Sequence, residues 1–492
     1  MNKISILGSG FSSLASAAYL AQSGYKVTVY EKNSIPGGRA RQLKSDGFTF
    51  DMGPTWYWMP DVFERFFADF GKLPADYYEL IKLNPAYQVY FGKADVVIIE
   101  DSLDKIKDTF EKIEKGSSLK LEKFMKMARE NYDIAIKDLV YRPGVSPLEL
   151  ITVETIKKLS QFASTISQEV RKLFTHAKLI QILEFPVLFL GAKPSQTPAF
   201  YSFMNQADFG LGTFHPTNGM YSVVEGMVKL AESLGVKFVY NAAVTAIDVQ
   251  SGMATSITVN GEKIKSEIVL SGADYHHTET LLPPEHRMYS ESYWNKKIFA
   301  PSSLLFYVGF DKKIENVCHH TLFFDVDFDE HAATIYDNPS WPDEPLFYAS
   351  FPSKTDDSFA PDGQEAAVFL IPLAPGITDT EEIRSIYFEK IMSRFEKLTN
   401  QIVKGHIVFK SSFCVNDFVS DYNSFKGNAY GMANTLFQTA FLRPKLKSKK
   451  VKNLYFTGQL TVPGPGVPPS LISGKLVSEL IQKHHPITAY KN

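Results

Sequence analysis

Residues 3–7, Lys-Ile-Ser-Ile-Leu, form a short apolar run that ends at once in Gly8-Ser9-Gly10, a pattern that predicts a buried strand. Leu14, Ala17, Ala18 and Ala21 then recur at helical spacing, Gly24 supplies a stop, and residues 26–30 alternate into a second strand closing on Glu31. This is a βαβ unit whose turn lies where a dinucleotide pyrophosphate binds. Gly8 lets the chain leave the strand sharply. Gly10 removes a side chain, so that backbone N–H groups and the positive end of the helix beginning at Phe11 and Ser12 reach phosphate oxygens. Glu31 ends the second strand eighteen residues past Ser13, where a carboxylate accepts ribose hydroxyls. Ser13 stands where the third glycine of such a turn is usual, which predicts looser helix-to-strand packing there.

The same patterning continues along the chain. Residues 61–71 predict a helix with Val62, Phe63, Phe66, Phe67 and Phe70 on one side, entered through the aromatic stretch Thr55-Trp56-Tyr57-Trp58-Met59-Pro60. Both a packed core and a surface for a flat apolar ligand account for that stretch. Residues 87–100 alternate as strands, and 103–185 are charged and largely helical, without repeats or a glycine-rich linker. A helix is expected from Met220 to Gly235, short strands at 236–240, 244–249 and 265–270, and longer strands at 303–310 and 366–373. Residues 453–459 predict a strand entering a glycine turn; a Pro/Gly-rich stretch, 461–469, and a helix at 470–482 follow. The order reads as an α/β chain with a discontinuous Rossmann-like domain (1–86, 215–280 and 421–492), a substrate domain (87–102 and 281–420) and a helical cap (103–214).

Composition changes this picture little. A chain of 492 residues is long enough for two or three domains, and 52 basic against 54 acidic residues gives no sign of a nucleic-acid partner. Two cysteines, Cys318 and Cys414, are too few for a disulfide framework and fit a reducing, cytoplasmic setting. No signal peptide is expected, and no run approaches the ~20 apolar residues of a membrane-spanning helix. The most apolar stretch, 179–191, contains Glu184 and Pro186 and is flanked by Lys172, Lys178 and Lys193. It suits either a buried segment or an interfacial membrane contact. The pairs His276-His277 and His319-His320 lack metal-ligand spacing, and adjacent residues are expected to point apart, so no metal site is predicted.

Behind Glu31 come Pro36-Gly37-Gly38-Arg39-Ala40-Arg41 and then Gly53-Pro54-Thr55, a second glycine-arginine loop for which a nicotinamide site has no use. These segments resemble the flavoprotein superfamily of amine oxidases and carotenoid desaturases, of the GR2 type. Together with Gly458-Gln459-Leu460-Thr461-Val462-Pro463-Gly464-Pro465-Gly466-Val467-Pro468-Pro469, the chain resembles the bacterial phytoene desaturases of carotenoid biosynthesis. The resemblance implies FAD held by Gly8, Gly10, Phe11, Ser12, Ser13, Glu31 and Lys32. It places Gly38 and Arg39 near the phosphates, Gly53, Pro54 and Thr55 near the isoalloxazine, and Val244 on the adenine side. Gly458, Gln459, Gly466, Val467 and Pro468 would close the site, with Gln459 where many flavoproteins have an acid.

The activity implied is desaturation of phytoene towards lycopene, by hydride transfer to flavin N5 and proton loss, with quinone or oxygen as re-oxidant. Glu149 lies where the family has an acidic residue proposed to take the proton. Alternatives are a desaturase of a later carotenoid at its 3,4 bond, or a non-catalytic prenyl-lipid escort of the same fold, like the Rab GDP-dissociation inhibitors. An amine or protoporphyrinogen oxidase fits less well, because no aromatic cage or carboxylate for a polar substrate stands out. A hydrocarbon of roughly forty carbons, at ~0.8 kcal/mol per buried CH₂, must be drawn from a bilayer. That favours 179–191 as a membrane contact and a location at the inner face of the cell membrane.

Overall fold

The computed structural model describes residues 2–137, 139–435 and 437–487. Its centre is a five-stranded parallel sheet. Lys3–Leu7 lies in the middle, flanked by Lys26–Tyr30 and Ile268–Ser271, with Lys237–Val239 and Leu454–Phe456 at the edges. Strands far apart in sequence therefore lie side by side. Alternation along them buries both faces. Ile4, Ile6, Val27 and Val29 pack under the helices Phe11–Gln22, Met220–Ser233 and Val467–His484, while Leu7, Val269 and Phe456 face Ile247 and Ile257 of an antiparallel three-stranded sheet. Gly474 allows the first and last of those helices to touch: a Cβ on it would fall 2.7 Å from both Ala15 Cβ and the Ser12 carbonyl.

A second sheet of seven strands runs in the order Ile407–Phe413, Ser302–Phe310, Glu365–Leu373, Phe347–Ser350, His320–Phe323, Tyr87–Gly92, Asp95–Ile99. Helix Glu381–Thr399 covers one face through Tyr387, Phe388, Ile391, Met392 and Phe395. The other face meets Phe48 and Phe50 of the hairpin that follows the glycine-arginine loop. Helices between Leu103 and Glu184 lie above, with Phe110, Phe124 and Leu183 buried.

Four sequence-based expectations need correction. The C-terminal helix begins at Val467, so Pro468 and Pro469 sit in its first turn rather than in irregular backbone; the missing proline N–H groups are ones that a helix start leaves unused anyway. Residues 179–191 form helix Ala177–Glu184 and a short 3₁₀ turn, with Leu179, Ile182, Leu183 and Val187 fully buried. Phe185 packs its ring edge-on against Trp58 and Phe324, so this stretch is interior wall and not membrane contact. Glu184 is held there by Arg171 at 3.3 Å, and burial raises its carboxyl above the ordinary range. His319 and His320 do not point apart: their rings lie 4.5 Å from each other, because His319 precedes the strand and escapes its alternation. Finally, Ser13 is tightly packed rather than loosely, for the reason given below. No helix among the described residues is long and apolar enough to cross a membrane.

Candidate flavin site and the cavity beyond it

The glycine turns converge on one cavity of about 1030 Å³. Gly8 leaves the central strand at φ +83°. The helix that follows is capped by Gly10 without a side-chain acceptor, so its first N–H groups face the cavity. The glycine-arginine loop lies directly on this turn: a Cβ at Gly38 would come 3.3 Å from Gly10 Cα. The C-terminal turn touches it as well, since a Cβ at Gly458 would lie 3.1 Å from Ser12 Oγ. A second helix start, capped by Gly466 and again lacking a side-chain acceptor, opens into the same space. Gly53 is fixed by contact, because a Cβ there would fall 2.1 Å from the Arg39 carbonyl oxygen.

Of the residues expected to hold FAD, Gly8, Gly10, Phe11, Ser12, Glu31, Lys32, Gly38, Arg39, Gly53, Pro54, Thr55, Val244, Gly458, Gln459, Gly466, Val467 and Pro468 all line this cavity. Ser13 does not. It faces the sheet, where the alpha carbon of Gly272 leaves it room: a Cβ on Gly272 would fall 2.0 Å from Ser13 Oγ. The glycine lost from the turn thus reappears just past the end of the neighbouring strand Ile268–Ser271.

The polar groups fit a dinucleotide. Glu31 is buried at the end of its strand and accepts from the Ser9 N–H (2.9 Å), the Ser9 hydroxyl (2.7 Å) and the Asn33 N–H (2.9 Å), which ties the acid to the turn. Arg39 is half-buried and donates to Ser424 Oγ at 2.9 Å, but its buried Nε has no partner, an orphaned donor suited to a phosphate. Burial lowers its guanidinium from the ordinary value, while the nearby Asp274 works the other way. Asp274 itself is buried, with its carboxyl raised by burial against the pull of Arg39. It caps the helix Tyr275–Thr280 through the His277 N–H at 3.2 Å. Sequence reasoning missed Asp274, although it follows the Ser-Gly-Ala that ends a strand. Lys32 reaches away to the Ser420 carbonyl at 2.6 Å. Gln459 Nε2 approaches Asn428 Oδ1 at 3.4 Å, and its carbonyl accepts from the buried Arg443 at 2.7 Å.

Beyond the cradle the cavity turns apolar, walled by Trp56, Trp58, Phe185, Phe200, Phe324 and Leu346. The aromatic stretch splits between the two roles considered for it. Trp56 and Trp58 line the cavity, while Tyr57 is fully buried and stacks on Phe63 at 4.2 Å. Glu149 is half-buried on the cavity wall. Its Oε1 accepts from the N–H groups of Val145 (3.0 Å) and Ser146 (3.2 Å), and its Oε2 from that of Gly144 (2.8 Å), so its carboxylate holds its own loop. Among the described residues no group of three or more His, Cys, Asp or Glu is arranged for a metal.

Residues 11–482 match the family of flavin containing amine oxidoreductases. The chain is 41% identical over 482 residues to a carotenoid 3,4-desaturase of Haloarcula japonica, covering 97% of each protein. It is 32% identical over 494 residues to a 4,4'-diapophytoene desaturase of Staphylococcus haemolyticus, covering 97% of this chain and 98% of that one. The chain belongs to the flavin-containing amine oxidoreductases, among their carotenoid desaturases. An oxidoreductase of known structure from Methanosarcina mazei shares the fold, with a TM-score of 0.64 at 15% identity over 97% of this chain and all of that one. The desaturase is thus an FAD-dependent oxidoreductase acting on carbon–carbon bonds. The converging glycine turns, the orphaned Arg39 Nε and the two helix starts without a side-chain cap suit such a cofactor.

Proposed function

We propose that this desaturase acts at the 3,4 bond of a carotenoid that already carries a conjugated chain. The observation that carries a polyene substrate is the apolar extension of the flavin cavity, which offers a long hydrocarbon an aromatic wall from Trp56 to Phe324. The choice of bond is favoured by the 41% identity to a 3,4-desaturase, against 32% to enzymes named for diapophytoene. Phytoene, the substrate that the sequence motifs suggest first, is the second reading. FAD supplies the two-electron acceptor that no side chain can be. The chain's own part is to hold the polyene in a dry slot, with Pro54 and Thr55 at its cofactor end, and to keep water from the carbon that becomes electron-poor.

The substrate enters from a bilayer through the mouth near Gly144 and Phe441. Around that mouth Val145, Leu148, Ile151, Val153, Ile156 and Phe437 are 61–78% exposed, a cluster that a purely aqueous surface does not favour. These exposed side chains support a membrane contact there rather than at the buried stretch 179–191. The test is incubation of the FAD-loaded protein in liposomes with phytoene, or with a carotenoid already conjugated, supplying quinone and oxygen in turn as acceptors. Absorption spectra of the extracted pigment count the new double bonds. Conversion of the conjugated carotenoid with phytoene untouched supports the 3,4 reading, and the opposite result replaces it with phytoene.

A further inference from the structure

The histidine pair His319-His320 lies behind the cavity wall, where Tyr348 links it to Thr55. Tyr348, on strand Phe347–Ser350, lines the cavity. Its hydroxyl shares one hydrogen bond with Thr55 Oγ1 at 2.8 Å and another with His320 Nδ1 at 2.6 Å. Trp56 stacks flat on the His320 ring, with centroids 4.0 Å apart and planes 10° from parallel. His320 is wholly buried, and its Nε2 has no hydrogen-bond partner. Such a nitrogen is costly to keep and calls for an explanation. The groups facing it complete a row: His319, whose Nδ1 meets Thr355 Oγ1 at 2.8 Å, then His215 at 4.7 Å from the His319 ring, then the Asp356 carboxylate 3.3 Å from His215 Nε2. Tyr430 is a further phenol near Tyr348, and burial, together with this neighbour, raises the Tyr348 hydroxyl above the ordinary range. Burial, with His215 nearby, keeps His320 well below the ordinary imidazole range and so neutral at pH 7.

The geometry points to Tyr348 as the proton acceptor of the desaturation, with His320 as the positioning residue that draws off the tyrosine's own proton. This rests on the desaturase reading above. Once the substrate has given up hydride, the C–H bond at the adjacent carbon breaks and its electron pair becomes the new C=C bond. The proton passes to Tyr348 Oη while the Tyr348 O–H proton moves to His320 Nδ1. A neutral phenol suffices, because an allylic cation is a very strong acid. Thr55, on the segment that ends the flavin cradle, fixes the hydroxyl where the cradle and the apolar slot meet.

This assignment requires His320 Nδ1 to be unprotonated and to accept from the phenol, with the proton on Nε2. Selective ¹⁵N-histidine NMR of the cofactor-free wild-type protein, with the signal assigned by His320→Gln, reads that tautomer independently of turnover. Kinetically, Tyr348→Phe is expected to lower kcat by ~100-fold or more with KM and FAD content unchanged. His320→Gln is expected to lower kcat less and to remove the acid limb of the kcat–pH profile. A His320 protonated on Nδ1, or Tyr348→Phe turning over at the wild-type rate, overturns the proposal while leaving the desaturase reading intact. A wild-type protein inert towards every carotenoid overturns that reading, and this one with it.

Discussion

Gly272→Ala tests the compensation by which a serine replaces a glycine in the flavin turn. The added Cβ would fall 2.0 Å from Ser13 Oγ and 3.3 Å from Ser13 Cβ, with Thr457 Cγ2 at 3.4 Å the next neighbour. Gly272 does not have a positive φ, so alanine meets no backbone strain there and the cost is overlap with one hydroxyl. Overpacking of that kind costs ~1–3 kcal/mol. Ser13→Gly removes a buried hydroxyl that has no hydrogen-bond partner and changes a first-turn helical position, an exchange worth about 0.5 kcal/mol by propensity. In the double variant both Ser13 contacts are gone, and the nearest atom left to the new methyl group is Thr457 Cγ2 at 3.4 Å. The pair is therefore expected to be at least ~1 kcal/mol more stable than the sum of its single variants. Urea denaturation of the cofactor-free proteins, followed by tryptophan fluorescence, measures this without the added stabilisation of bound FAD. Additivity within ~0.5 kcal/mol would refute the claim that Ser13 and Gly272 compensate for each other.

Four more outcomes are expected. Gly53→Ala drives its Cβ to 2.1 Å from the Arg39 carbonyl and so pushes the two loops apart; flavin titration should show FAD affinity reduced ~10-fold or more, from about 1.4 kcal/mol of lost binding. Arg443→Met strips donors from the carbonyls of Thr461, Met432 and Gln459 and from Asn434 Oδ1, which lie 2.6–3.0 Å from the buried guanidinium; the unfolding midpoint should fall by the equivalent of ~3 kcal/mol or more. Asp208 accepts from Tyr87 at 2.8 Å, and burial pushes its carboxyl up to about 8; below pH ~4 both states hold the proton, and from there towards pH ~8 only the unfolded chain releases it, so the native state loses up to ~1.4 kcal/mol per pH unit. Asp208→Asn should flatten that decline, and equal pH slopes in the two proteins would count against it. Leu148→Ser with Phe437→Ser should weaken sedimentation with vesicles at least ~10-fold, from two side chains of ~1.5–3 kcal/mol each, while FAD content stays as in the wild type.

What could be read from the sequence follows from where the physical requirement lies. A sharp turn or a close backbone approach needs a particular backbone, so Gly8, Gly38, Gly53 and Gly458 announce themselves locally, and each lines the cavity. Side-chain roles depend on partners that only the fold supplies. Residues 179–191 look the same whether lipid or protein covers them; Trp58 and Phe324, more than a hundred residues away on either side, decide it. Ser13 reads as a defect until Gly272 is set opposite it, and Glu149 reads as a free acid until its three backbone donors are seen. The dyad of Tyr348 and His320 is hidden for the same reason: neighbouring antiparallel strands bring the two together, and Trp56, from a loop near the N-terminus, stacks over the ring. Strand periodicity describes residues inside a strand, whereas His319 sits one residue before one, where the rule that sends adjacent side chains apart does not act. In this molecule the cofactor cradle is a matter of backbone shape, written in glycines. The chemistry proposed for the substrate is a matter of side-chain company, which the two sheets supply only once assembled.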